Sequence, residues 1–158
     1  MDGERTPPER IRITGLQEAQ LPALLDIEQA VAAMYQESGL APAAWSSRTV
    51  ADIVALTREH DVRVAEADYH VAGYLAWRDE APGVAHLVLL AVHPDYQRFG
   101  IATRLLLDLH EGARGVGLGY LVTRIWERAP WAMAFCRRGG LRPVGEEAPE
   151  PVQQWRSS

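Results

Sequence analysis

Between Val92 and Thr103 the chain reads V-H-P-D-Y-Q-R-F-G-I-A-T, a stretch rich in residue types that can hold an anion. It follows an apolar run from Val84 to Val92 and precedes a segment in which Ile101, Leu105, Leu109 and Ala113 recur at the spacing of one helix face. The stretch is therefore predicted to join a buried strand to a helix. The first N–H groups of a helix have no intrahelical acceptor, and the aligned peptide dipoles place partial positive charge there, which suits phosphate. Gln97, Arg98, Phe99, Gly100, Ile101 and Ala102 occupy that junction, between Leu90 and Val92 at the strand end and Thr103 in the first turn. Gly100 lets backbone approach a ligand with no Cβ in the way, Ala102 is nearly as small, and Arg98 brings a charge of the right sign. The competing reading of these residues is an ordinary strand-to-helix turn with glycine at a tight corner.

The second chemistry is proton transfer. An imidazole titrates near neutrality, and the chain has 5 histidines. His86 lies inside the apolar strand run, six residues before Val92, so a strand period of two predicts both on one face. His60, His70, His93 and His110 fall at element ends, in a turn or along a helix. None has ligand spacing with Cys136 or with a carboxylate pair, and no metal site is predicted.

Composition removes several alternatives. The 158 residues, 47% hydrophobic and 23% charged, suit one globular domain with a sizeable core. All 16 basic residues are arginine. Without lysine the chain can build neither a Walker-type phosphate loop nor a Schiff base with a substrate or with pyridoxal phosphate. A net charge of -5 argues against nucleic acid as a partner and suits a cationic amine. No apolar run approaches ~20 residues, and MDGERTPPERIR has no apolar signal core, so no membrane association is expected. The single Cys136 cannot form an internal disulfide, in keeping with a cytoplasmic protein.

The elements that must position these residues follow from patterning. Residues 1–9 read as a disordered leader and 10–158 as a single domain. Arg10 to Thr14 alternates as a strand, Glu18 to Tyr35 carries one apolar helical face with Pro22 in its first turn, and Ser47 is the expected cap of a second helix running towards His60. Asp61 to Glu66, Tyr69 to Arg78 and Val84 to Val92 read as three successive antiparallel strands. Gly115, Gly117 and Gly119 end the central helix, because they leave a helix and enter a strand, the reverse of a dinucleotide loop. A strand from Tyr120 to Trp126, a short helix begun by Pro130, a strand from Leu141 to Gly145 and a last edge strand from Pro151 to Arg156 complete the order βααβββαβαββ. The predicted class is α/β (α+β), a mixed, mostly antiparallel sheet flanked by helices.

Gln97-x-x-Gly100-x-Ala102 after Leu90-Ala91-Val92-x-Pro94 resembles the Q/R-x-x-G-x-G/A motif of the GNAT superfamily of N-acetyltransferases, and the resemblance runs from Arg10 almost to the last residue. It implies an acetyl-coenzyme A-dependent N-acetyltransferase whose loop holds the cofactor pyrophosphate, with Leu90, Val92 and Thr103 joining Gln97 to Ala102 in the cofactor-binding set. The acceptor implied is a small-molecule amine, a peptide N-terminus or a protein lysine, and a homodimer is common among such proteins. It also implies that a backbone N–H near Val92 polarises the thioester and that His86 stands where several members carry a catalytic base. Ala129 to Leu141 resembles the family's N-x-x-A-x-x-x-Y-x-x-x-G-F/L signature, with Ala132, Gly140 and Leu141 matching. Ala129 replaces the usual Asn and Cys136 the usual Tyr, the residue expected to protonate the departing thiolate. Two function classes stand: the N-acetyltransferase, and a catalytically silent acyl-coenzyme A-binding sensor or interaction module.

Overall fold

The structure, a computed structural model, describes residues 6–37, 49–117, 120–124, 142–145 and 152–156. Its elements in chain order are β1 (Ile11–Gly15), α1 (Leu21–Glu37) with a 3-10 turn before it at Glu18–Gln20, α2 (Val50–Glu59), β2 (Asp61–Ala67), β3 (His70–Ala81), β4 (Val84–Val92), a 3-10 turn at Pro94–Tyr96, α3 (Ile101–Gly115), β5 (Tyr120–Arg124), β6 (Arg142–Gly145) and β7 (Val152–Arg156). The predicted short helix begun by Pro130 lies outside the described residues, as do Ser47, Ala129, Ala132, Cys136, Gly140 and Leu141.

Local chemistry accounts for the boundaries. Pro22 sits in the first turn of α1, where its missing N–H has no partner to lose. The cap of α2 is Thr49 rather than the expected Ser47: its side chain accepts the Asp52 N–H at 3.2 Å while Asp52 accepts the Thr49 N–H at 2.9 Å. That reciprocal box satisfies two donors at once, which a serine two residues earlier cannot do. The β2–β3 turn falls at Asp68 and Tyr69, both left-handed at φ 48° and 72°, one residue later than the sequence suggests. Asp68 tolerates that conformation, and its carboxylate accepts the N–H groups of Glu9 and Arg10 at 3.1 and 2.9 Å.

The seven strands lie in the order β1-β2-β3-β4-β5-β7-β6, antiparallel throughout except for the parallel pair β4–β5. One face of the sheet packs on α3: Ala65, Leu75, Trp77, Ala85 and Leu87 meet Ile101, Leu105, Leu106, Leu109 and Ala113, with Leu90 and Val92 against them. The other face packs on α1 and α2 through Leu24, Ile27, Ile53, Leu56, Val64, Tyr74 and Ala91. Arg63 of β2 and Asp108 of α3 form a two-pronged ion pair at 2.8 and 3.2 Å, and Arg104 donates to the Ile11 carbonyl at 3.2 Å, so α3 is tied to the sheet by polar contacts as well as by apolar packing. The Asp108 hydrogen bond outweighs burial and raises the pKa of Arg63.

β4 departs from a regular strand at one point. Ala76 pairs with Leu89 and Trp77 with Leu87, which leaves Val88 as an extra residue. A bulge of this kind moves every later side chain to the opposite face. Ala85 and Leu87 point to α3 before it, and Leu90 and Val92 do so after it. His86, alternating with Ala85 and Leu87, therefore faces α1 and α2, opposite to the side chain of Val92. The sequence expectation that both share a face does not hold, because a strict period of two cannot anticipate an inserted residue.

Candidate functional site

β4 delivers the chain to the site, and its last residues are held tightly by β3. His93 N–H donates to the Ala72 carbonyl at 2.8 Å, and Gly73 pairs with Val92. In an antiparallel ladder this parity turns the N–H and C=O of Leu90 and Val92 away from β3, towards the β5 side. Among the described residues β5 pairs with β4 only from Val84 to Leu87 and so stops short of the bulge. Among the described residues no strand pairs with Leu90 or Val92 on that side. Gly73 permits the approach from the other side: a Cβ there would meet the Ala91 carbonyl oxygen at 2.8 Å.

The turn after β4 is built from its own backbone and two side chains. His93 Nδ1 accepts the Asp95 N–H at 3.0 Å, which leaves the neutral ring its proton at Nε2. Its ring stands edge-on to Tyr96 at 6.3 Å. Gln97 N–H reaches the Pro94 carbonyl at 3.4 Å, and Gln97 Nε2 donates to the Val92 carbonyl at 3.2 Å and lies 3.6 Å from the Met34 sulfur. Gln97 therefore clamps the strand end to the loop and the loop to α1.

The loop then winds through two left-handed residues, Arg98 at φ 76° and Gly100 at φ 77°. Glycine takes this conformation freely, whereas arginine does so at a cost of about 1 kcal/mol or more. Gly100 caps α3, and the first helical bond runs from Arg104 N–H to the Gly100 carbonyl at 3.0 Å. The N–H groups of Ile101, Ala102 and Thr103 consequently point out of the helix end. A Cβ at Gly100 would meet nothing within 4 Å, so the space over this end is open. Ile101 is 1% exposed and offers a ligand only its N–H, Phe99 and Ala102 are half-buried, and Gln97, Arg98 and Thr103 are exposed. Arg98 and the N–H donors at this helix start suit a phosphate or pyrophosphate.

All the residues predicted for cofactor binding therefore meet at one strand end, loop and helix start. His86 does not join them. It is half-buried and pairs in register with Arg78 and Val122, four residues before Leu90 and six before Val92. Sequence reasoning missed the bulge at Val88, the left-handed Arg98 and the close approach at Gly73. Helical spacing already sets Glu28 on the apolar face of α1, and it is buried there. Among the described residues no group of three or more His, Cys, Asp or Glu side chains is placed to hold a metal ion, and no helix is long and apolar enough to cross a membrane.

Residues 24–139 match the profile of the acetyltransferase (GNAT) family. Among curated protein sequences, none matches. Solved structures with similar folds include the PaiA N-acetyltransferase of Thermoplasma acidophilum in complex with coenzyme A, at 16% identity and TM-score 0.76, covering 93% of this chain and 99% of that one. The acetyltransferase of Thermus thermophilus superposes at 17% identity and TM-score 0.77, covering 96% and 99% of the two chains. The yncA protein of Salmonella typhimurium, solved with its cofactor acetyl-CoA, does so at 18% identity and TM-score 0.71, covering 94% of each chain. At these identities the likeness is one of fold.

Proposed function

The chain belongs to the acetyltransferase (GNAT) family, and on that premise we propose that it transfers the acetyl group of acetyl-coenzyme A to a primary amine by direct attack on the thioester. One observation carries the reading. The left-handed residues Arg98 and Gly100 open the start of α3 to an anion, directly after a strand end whose backbone donors at Leu90 and Val92 turn away from β3. Folds at similar TM-score have been solved with coenzyme A or acetyl-CoA.

In this reading the N–H groups of Ile101, Ala102 and Thr103 hold the pyrophosphate, with Arg98 beside it. The N–H of Leu90 or Val92 polarises the thioester carbonyl, a preorganised donor worth about 3 kcal/mol in the transition state. Gln97 fixes the orientation of that strand end through the Val92 carbonyl. The thioester supplies the acyl carbon. The amine attacks it as the free base, the C–N bond forms as the C–S bond breaks, and the departing thiolate takes up the proton that the acylated nitrogen sheds. At the usual strand rise His86 lies about 13 Å from Leu90 and about 20 Å from Val92 along β4, so it takes the ammonium proton through water. No enzyme-bound intermediate is needed.

The test has two arms. Acetyl-coenzyme A at millimolar concentration raises the melting temperature, since a ligand that binds only the folded form stabilises it by mass action. A panel of primary amines then releases free coenzyme A thiol in the presence of the protein. An unmoved melting temperature removes the reading. A shift without thiol release from any amine favours the silent binding module instead.

A further inference from the structure

One side chain at the site makes a hydrogen bond that exists only while it is neutral. His93 follows β4 and caps the Pro94–Tyr96 turn: its Nδ1 accepts the Asp95 N–H at 3.0 Å, and its own N–H is held by the Ala72 carbonyl of β3 at 2.8 Å. The far end of the turn closes on the same residue, since the Tyr96 N–H donates to the His93 carbonyl at 2.9 Å. The chain then passes at once into Gln97, whose N–H reaches the Pro94 carbonyl and whose side chain ties the Val92 carbonyl. Left-handed Arg98 and Gly100 and the donors at the start of α3 follow. The cap at His93 is thus the first link in the contacts that shape the phosphate-facing loop.

Protonation breaks that link. An imidazole is the side chain that changes charge between pH ~5 and ~8, and as a cation it carries a proton on both nitrogens. Nδ1 then has no lone pair for the Asp95 N–H. The Asp95 carboxylate, 3.8 Å from Nδ1, offers the cation a pairing that competes with the cap. The other charged groups around the turn are Arg98, further along the loop, and Glu37 on α1, an exposed residue beyond Met34. β3 brings Val71, Ala72 and Gly73, which carry no charge. The His93 side chain is 27% exposed, so protons reach it from solvent.

We infer that His93 is a proton-controlled latch on the cofactor loop: the neutral ring holds the turn in its binding shape, the cation releases it, and coenzyme A affinity falls as pH drops through the histidine range. The inference rests on the acetyltransferase reading and adds a regulation to its cofactor site. The linkage has a definite sign. A ligand that needs the capped turn binds the neutral ring, so binding at mildly acid pH releases a proton. A His93 that acted only through its charge would have the opposite sign, because a cation favours phosphate.

The experiment titrates full-length protein with coenzyme A, so that no acceptor amine is present, between pH ~7.5 and ~5.5. His93→Asn is the comparison, because asparagine is a strong cap whose Oδ1 accepts the Asp95 N–H at any pH. Titration of the ligand's own phosphate is common to both proteins. Over that range the wild type loses about fivefold more affinity than His93→Asn, the scale of one cap. Parallel curves overturn the inference, and so does a wild type that gains affinity relative to the variant as pH falls. Should His93→Asn not fold, NMR titration of the wild-type imidazoles decides. Coenzyme A moves the protonation midpoint of His93 downward, and an unmoved or raised midpoint overturns the inference. Absence of coenzyme A binding at neutral pH overturns the acetyltransferase reading, and the inference with it.

Discussion

Two neighbouring residues in the loop separate conformation from charge. Gly100 is left-handed with open space around it, so Gly100→Val meets no atom but strains the backbone and puts a branched side chain where phosphate must approach. Acetyl-coenzyme A affinity falls at least ~10-fold, and stability falls by about 1–2 kcal/mol from the strain. Arg98→Gly has the opposite signature: it relieves the left-handed arginine and stabilises the fold, yet weakens the cofactor by removing a cation. Isothermal titration beside urea denaturation reads both terms, and a stabilised Arg98→Gly with unchanged affinity would place the guanidinium outside the site. For His86, a proton acceptor working through water predicts that His86→Ala keeps acetyl-coenzyme A affinity and lowers turnover by roughly 10²-fold. Raising pH restores part of the loss, because more of the amine is already neutral. Equal turnover of the two proteins at neutral pH would make His86 structural.

Among the elements, β4 decides the outcome, and its geometry is set by its neighbour. β3 approaches the end of β4 through Gly73, where a methyl group would sit 2.8 Å from the Ala91 carbonyl oxygen and 3.3 Å from Val92 Cα. Backbone, unlike the tip of a side chain, cannot swing aside. Gly73→Ala therefore pushes Ala91 and Val92 outward, costs about 1–3 kcal/mol of stability, and weakens acetyl-coenzyme A binding although Gly73 touches no ligand. The check is a denaturation midpoint beside a cofactor titration, and a variant destabilised but with full affinity would show that the strand end tolerates displacement. The bulge at Val88 acts on the same element: it returns Leu90 and Val92 to the α3 side, beyond the last residue of β4 that pairs with β5 among the described residues.

At the scale of the whole molecule the fold has a pH dependence that the reaction does not use. Burial first, and Arg114 second, push the pKa of His110 on α3 below its usual value. Below about pH 6.5 the unfolded chain then binds more protons at this site than the folded one, so stability declines as pH falls until the folded form is protonated too. His110→Gln removes that term. Its urea midpoint falls less than that of the wild type between pH ~7.5 and ~5, and parallel curves would show that His110 is as well hydrated folded as unfolded.

The sequence by itself determined most of the described elements and where the loop between β4 and α3 lies. The apolar run of β4, the one-face pattern of Ile101, Leu105, Leu109 and Ala113, and the glycine between them are local signals, because hydrophobic period and turn chemistry act over a few residues. All four of those helix residues are buried as their spacing requires. Thr49 was legible too, since a capping box is a local pattern, although a nearby serine drew the cap two residues too early. Tertiary structure alone decided which way the site residues face. The bulge at Val88 depends on how β4 registers against β3, and it carries His86 to the face opposite the Val92 side chain. The contact between Glu28 and Tyr74 joins residues 46 apart in sequence, and the parallel pairing of β4 with β5 joins strands that α3 separates along the chain. Register and long-range contact are properties of chain pairs, and a single sequence read along its length contains the partners but not their pairing.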